Sequence, residues 1–442
     1  MRSPAEPSLR TALACLALVC AASCRSVAAP VVAPSWAPEA AADALTHDDC
    51  VRLAAGWAPN RAAWSARLDL ARAALDQAGR WANPRLDATW EDFRVAGPTA
   101  TPLAATYSLL GALGDLASRG ARRDLAQLEL DAERAALEAE LARLAYQVHD
   151  AYDELVAARA SVALEEDALT LTRTQRDAVA RFIAVGAAPA IDLARADAEV
   201  AQAGADVAAA RADARALELE LCFALGFERP VALTLAEGWT PLDAPSDVAA
   251  ADDPNDADLE ALLMRAAELR PELREANARY AAQRARAKLS ADNVRFFPNI
   301  GAGLRFEGGE TRGVAALDVE LPLFDGGGPA LHAGDAMLLQ AAAGLRQAAH
   351  DLGAEVTLAR ERLTAARRFL DQHAQRAEAL RADLSQRTER LFEAGEVSFD
   401  DLMRARRDEL DARRVRLAAA RRAAHARLEL TRALGALTLP RP

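Results

Sequence analysis

Cysteine is scarce in this chain. There are five in 442 residues, three of them (Cys15, Cys20 and Cys24) within the first 24. The remaining two, Cys50 and Cys222, do not make a disulfide framework. Aromatic residues are only 5%, so the 52% apolar share is carried largely by Ala, Leu and Val. That composition suits long close-packed helices better than a bulky globular centre. Positive charge is also short: the formal net charge is −12, which argues against sequence-blind binding to nucleic acid. The six histidines show no ligand spacing with cysteine or with one another, so no metal site and no cofactor is expected. No Ser-His-Asp grouping or carboxylate pair has an argued geometry, so no catalytic residue is assigned. Gly326-Gly327-Gly328 lacks a following Gly-Lys-Ser/Thr and reads as a strand-to-helix corner rather than a phosphate loop.

A membrane-spanning apolar run is missing as well. The stretch Ala12–Ala22, preceded by Arg2 and Arg10, is too short for a mature bilayer helix and fits a secretory signal over 1–23. It ends Ala21-Ala22-Ser23-Cys24, which resembles a bacterial lipobox and marks Cys24 as a lipidation site; the alternative is cleavage nearby with Cys24 a free thiol. Residues 24–45 then read as an extended tether rich in Ala and Pro.

What the chain has in place of these is a repeat. Gly186 and Gly395, Asp192 and Asp401, and Gly226 and Gly435 are each 209 residues apart. Local wording recurs at the same offset: Leu219-Glu220-Leu221 returns as Leu428-Glu429-Leu430. A register held over some forty-five positions predicts an internal duplication, with repeats at 46–226 and 259–435, a Pro/Asp/Gly-rich linker at 227–258 and a short tail at 436–442.

Each repeat reads as helix, strand hairpin, very long helix, tight turn and return helix. Thr46-x-x-Asp49 has the form of a helix start. Leu86, Ala88 and Trp90 alternate with polar neighbours in a hairpin at 84–115, and Ile300, Ala302, Leu304 and Phe306 do so in a hairpin at 297–323. Long helices are predicted from about Gly120 and from Pro329. The first carries a seven-residue seam at Leu141, Val148, Leu155, Val162, Leu169 and Ile183; the second at Val356, Leu363, Leu370, Ala377, Leu384 and Leu391. Gly186 and Gly395 sit at the helix-tip turns, where a reversal favours a residue tolerating positive φ.

Such a chain cannot complete itself. Four strands with an alternating face are too few for a closed membrane barrel, and an open edge in lipid leaves unpaired backbone groups. Three copies supply twelve strands and twelve long helical segments, enough to close both layers. The Asn83-Pro84 and Phe297-Pro298 strand starts, the Leu321-Pro322-Leu323-Phe324-Asp325-Gly326-Gly327 strand end and the Gly-to-Asp tips resemble the TolC family of outer-membrane efflux proteins, nearest its CzcC-like heavy-metal branch. The resemblance implies a mainly α fold with a small β part: a homotrimer whose α-helical barrel joins a 12-stranded transmembrane β-barrel, four strands per chain. It implies a non-enzymatic exit duct in the bacterial outer membrane. Its partners are membrane lipid, a periplasmic adaptor and an inner-membrane RND-type pump or ABC exporter.

The resemblance also implies an acidic ring at the periplasmic mouth. The position carried over is Asp401, with Asp192 as an inter-helix hydrogen-bond partner at the first tip. Two residues depart from the family pattern: Arg404 stands where relatives often have a second acid, and Phe392 where they have a latching tyrosine. A gate held by Asp400 and Asp401 against Arg404 is the expectation, beside the plainer reading of helix N-terminal acids. The Arg404–Arg416 run reads as a solvated helix face, with adaptor docking as the minor alternative. Two other functions fit the sequence: the channel of a type I protein secretion system, and a lipid-anchored periplasmic coiled-coil scaffold without a pore.

Overall fold

The computed structural model describes residues 44–58, 60–81, 83, 85–91, 104–185, 189–236, 258–293, 299–307, 310–318 and 327–436. Cys24, the signal, most of the tether, Gly186, the centre of the linker and the 321–326 strand end lie outside the described residues. The elements run α1 (His47–Trp57), α2 (Arg61–Ala78), β1 (Arg85–Glu91), β2 (Ala104–Ala112), α3 (Leu113–Ala184) and α4 (Ala190–Ala224). The same order follows: α5 (Leu259–Leu269), α6 (Pro271–Asn293), β3 (Asn299–Glu307), β4 (Glu310–Asp318), α7 (Gly328–Phe369), a π turn (Leu370–Ala374), α8 (Gln375–Glu393) and α9 (Phe399–Ala433).

Local chemistry explains the boundaries. Thr46 and Asp49 form a reciprocal capping box at α1: the Thr46 hydroxyl donates to Asp49 at 2.6 Å and accepts the Asp49 N–H at 3.3 Å. Pro271 opens α6, where its missing N–H has no helical partner to lose. Gly327, at φ 77°, turns the chain into α7. The first long helix begins at Leu113 rather than near Gly120. Gly120 lies inside it, because a single glycine in a helix of 72 residues costs only about 1 kcal/mol.

The four strands form one antiparallel sheet in the order β1-β2-β3-β4. Leu86, Tyr107, Ile300, Leu304, Phe306 and Leu317 are all exposed, and the register sets them on one face. Gly301, Gly303 and Arg305 alternate with them and are half-buried. Gly303 is required here: a Cβ would stand 2.3 Å from the Tyr107 carbonyl oxygen. Among the described residues, no helix is long and apolar enough to cross a membrane.

The helices stack as a layer beside the sheet. Near the sheet, α2 packs on α3, α3 on α6 and α6 on α7; toward the tips, α4 packs on α3, α3 on α9 and α9 on α8. The core lies at the waist between them. Leu262, Leu352, Val356, Leu363, Leu430 and Leu434 form its main cluster, drawn from α5, α7 and the end of α9. Gly226 and Gly435 end the return helices at φ 88° and 68°. Each presses its backbone on the end of the opening helix of its own half, Trp57 and Arg270 respectively. A parallel bridge between Leu45 and Leu235 ties the start of the described chain to the segment after α4.

The seam of the second long helix differs from its expected course. Val356, Leu363 and Leu370 are 0–2% exposed, but Leu384 and Leu391 are 47% and 40% exposed. The π turn is the cause: it adds one residue to the turn, so the buried positions beyond it move one place later, to Glu378 (half-buried) and Ser385 (buried). In the first half no such interruption occurs. Val148 and Leu155 are buried, and Leu141, Val162, Leu169 and Ile183 are half-buried along an unbroken α3.

Candidate functional site at the helical tips

The second tip is built by Gly395 and Ser398. Gly395 adopts φ 77° with open space around it, so its role is conformational. Ser398 is the N-cap of α9 and Asp401 its third residue, closing a second capping box. The Ser398 hydroxyl donates to Asp401 Oδ2 at 2.6 Å and accepts the Asp401 N–H at 3.2 Å. The Ser398 N–H donates to the same carboxylate at 3.3 Å. These bonds from Ser398 hold the Asp401 carboxyl below the ordinary carboxylate range. Half of that side chain nevertheless remains exposed, so an ionised carboxylate stands at the tip.

Arg404 reaches both acids, Asp400 at 3.0 Å and Asp401 at 3.9 Å. Asp192 is differently placed. It sits in the first turn of α4 behind Pro189, which offers no side-chain cap, and its partner is Arg195 at 3.5 Å within the same helix. No inter-helix bond of Asp192 is found among the described residues. The structure thus brings Asp400, Asp401 and Arg404 together and leaves Asp192 apart.

Three phenylalanines hold the two tips level. Phe399 meets Phe182 of α3 edge-on at 6.3 Å and Phe392 of α8 at 5.9 Å. Sequence reasoning noted Phe392 but missed Phe182 and Phe399; the apolar residue wedged between Ser398 and two aspartates was the available signal.

The arginine run does more than face solvent. Arg406 pairs with Glu389 and Arg416 with Glu378 on α8. On the other side, Arg407 reaches Glu199 at 2.9 Å, Arg414 reaches Glu165 at 3.0 Å and Arg421 reaches Glu154 at 2.9 Å. His425 continues this ladder to Asp150 at 2.9 Å. Arg407, Arg414 and Arg421 recur every seven residues, which keeps them on one face of α9 toward α3 and α4. The face is solvated, and its arginines also tie α9 to its neighbours on both sides.

Above the tips, a second polar cluster pins α1 to α3. His47 Nε2 lies 2.7 Å from Asp153, its ring stacks on His149 at 5.2 Å, and the Tyr152 hydroxyl donates to the Leu45 carbonyl at 3.2 Å. Burial pushes the His149 imidazole down to about 4, and burial raises the Asp153 carboxyl. Cys50 and Cys222 are both buried and unbridged, and burial pushes the Cys50 thiol up to about 12.

No family model matches this chain. No curated protein matches it. Solved structures do. The outer-membrane channel OprN aligns at a TM-score of 0.72 and 19% identity over 88% of this chain and 89% of its own. CusC, studied for the conformational changes of folding and transmembrane channel formation, aligns at 0.69 and 17% over 88% and 92%. The outer membrane protein VceC from Vibrio cholerae aligns at 0.67 and 18% over 88% and 96%. Likeness of this depth along nearly the whole of each chain shows the fold: the protein is built like an outer-membrane channel of the TolC type.

Proposed function

We propose that the chain is a TolC-family exit duct of a tripartite efflux system, three copies closing a twelve-stranded barrel in the outer membrane and a helical barrel in the periplasm. The observation that carries this is the sheet. Among the described residues, six large apolar side chains lie exposed on one face, with glycines and charged residues on the other, and the outer strands β1 and β4 have no further strand beside them. That pattern is costly in water and favourable against lipid once the edges are paired by further copies. The nine-residue strands β2, β3 and β4 reach the length a tilted span requires.

On this reading the protein passes solutes without chemistry of its own, and a periplasmic adaptor and an inner-membrane pump supply selection and energy. Three Asp401 carboxylates around a narrow mouth concentrate cations and repel anions. Metal cations or small organic solutes are the cargo class. Export of Cys24 as a lipidated residue and the resemblance to the heavy-metal branch belong to the same proposal.

The test is single-channel conductance in planar bilayers. Asp401→Gln keeps an N3 side chain able to close the capping box while removing the charge. It is expected to relieve block by divalent cations and change conductance; unchanged conductance and block would remove Asp401 from the constriction. A detergent-solubilised protein that weighs as a single chain would overturn the duct itself.

A further inference from the structure

Among the described residues the helical layer has two open edges. Near the tips the order is α4–α3–α9–α8, and nearer the sheet α2–α3–α6–α7. One edge is therefore α4 below and α2 above; the other is α8 continuing into α7.

The two lower edges carry matching seams of opposite size. On α8 the π turn swings the seven-residue seam from the chain's interior to its outside. Ala377, Leu380, Leu384, Arg387 and Leu391, spaced alternately by three and four, are all exposed, Leu380 at 62%. On α4 the face toward α3 buries Ala196, Val207 and Leu221. The opposite face presents Ala194, Ala198, Ala201, Ala205, Ala208 and Ala212, spaced alternately by four and three, and every one is exposed. Bulky side chains on one edge thus face the dimensions of holes on the other.

Height and direction agree as well. Helix α8 runs toward the tip and α4 away from it. The Phe182–Phe399–Phe392 contacts set the ends of α3 and α8 level, and Arg176 to Asp197 at 2.9 Å sets α4 against α3. We infer that the leucine seam of α8 packs antiparallel into the alanine seam of α4 from a second copy of this chain. In this register Leu391 is level with Ala194, Leu384 with Ala201 and Leu380 with Ala205. The π turn is the device that makes it: it hands one continuous heptad from the chain's own core above to the neighbouring copy below. The inference rests on the proposed duct, because only copies arranged around an axis bring the two edges together.

Disulfide trapping tests the register. The Ala201→Cys, Leu384→Cys double variant, purified as the intact assembly and oxidised, is expected to give covalently joined chains, each single variant none. The pair Ala216→Cys with Leu384→Cys, offset by about 22 Å along the helix, is expected to stay unjoined. A multi-copy mass with no Ala201–Leu384 link, or with equal linking of the offset pair, would overturn the register while leaving the duct standing. A single-chain mass would overturn both. Inserting one alanine after Gln375 should advance the helix below by one position and carry Leu384 into the inward place of Ser385. Loss of assembly with unchanged helical circular dichroism is the expected result, and an unaffected assembly would overturn the role given to the π turn.

Discussion

The two helical hairpins descend from one pattern and pack by two rules. In the first, α3 runs unbroken for 72 residues and its apolar seam stays half-buried or buried to the tip. In the second, the π turn divides the long helix: hydrocarbon lies against the chain's own core above it, while below it ion pairs such as Arg416–Glu378 join α8 to α9. A register repeated in sequence therefore does not guarantee a repeated interface. One added residue in one turn is enough to exchange the inward and outward faces of everything beyond it.

The largest expected effect compares leucines on either side of that turn. Leu363→Ala empties a site 2% exposed within the waist cluster and should cost about 2–5 kcal/mol of stability. Leu384→Ala should change the single chain by no more than about 0.5 kcal/mol. Urea unfolding of the protein dispersed to single chains in detergent, followed by far-ultraviolet circular dichroism, reads both, and equal losses would erase the distinction between the two segments.

A second contrast concerns acid. His149 titrates at about 4 in the fold, against an ordinary value of 6.5. As pH falls from 6.5 toward 4 the unfolded chain takes up a proton that the folded chain refuses, so stability is lost across that window, by about 3 kcal/mol in all. His149→Gln should flatten this slope; a midpoint that still falls by the same amount would assign the loss to other groups.

The glycines give the third comparison. Gly226→Ala would set a Cβ 2.6 Å from the Trp57 carbonyl oxygen at a positive φ, whereas Gly395→Ala meets nothing within 4 Å. The first should cost about 1–3 kcal/mol and the second about 1, as thermal midpoints would register. Smallest of all is Arg421→Ala, which breaks an exposed pair with Glu154 worth about 0.2–1 kcal/mol at low salt and less at high salt.

Much of the architecture was legible. Proline at 271, the Thr46–Asp49 motif, the alternating Ile300–Phe306 run and the Gly395 reversal act through local backbone chemistry, which neighbouring residues carry. The seam through Leu370 was legible for the same reason. Beyond it, nothing in Leu370-Asp371-Gln372-His373-Ala374 announces a wider turn, since all five residues accept ordinary helix and the choice is made by packing against Ala419, Ala420 and Ala423. The second tip was half legible. Asp401 was singled out by the resemblance and by its offset from Asp192, but its bond to Ser398 was not foreseen, and Arg414–Glu165 spans 249 positions that no local pattern connects.

The ladder from Arg407 to His425 has a mechanical consequence. Each rung is solvated and individually weak, while the waist above is bound by dense hydrocarbon contact. A beam made this way is stiff at its clamped end and compliant toward its free end. A sideways load on the tips is therefore taken up by α9 sliding on α3, with little disturbance reaching the waist.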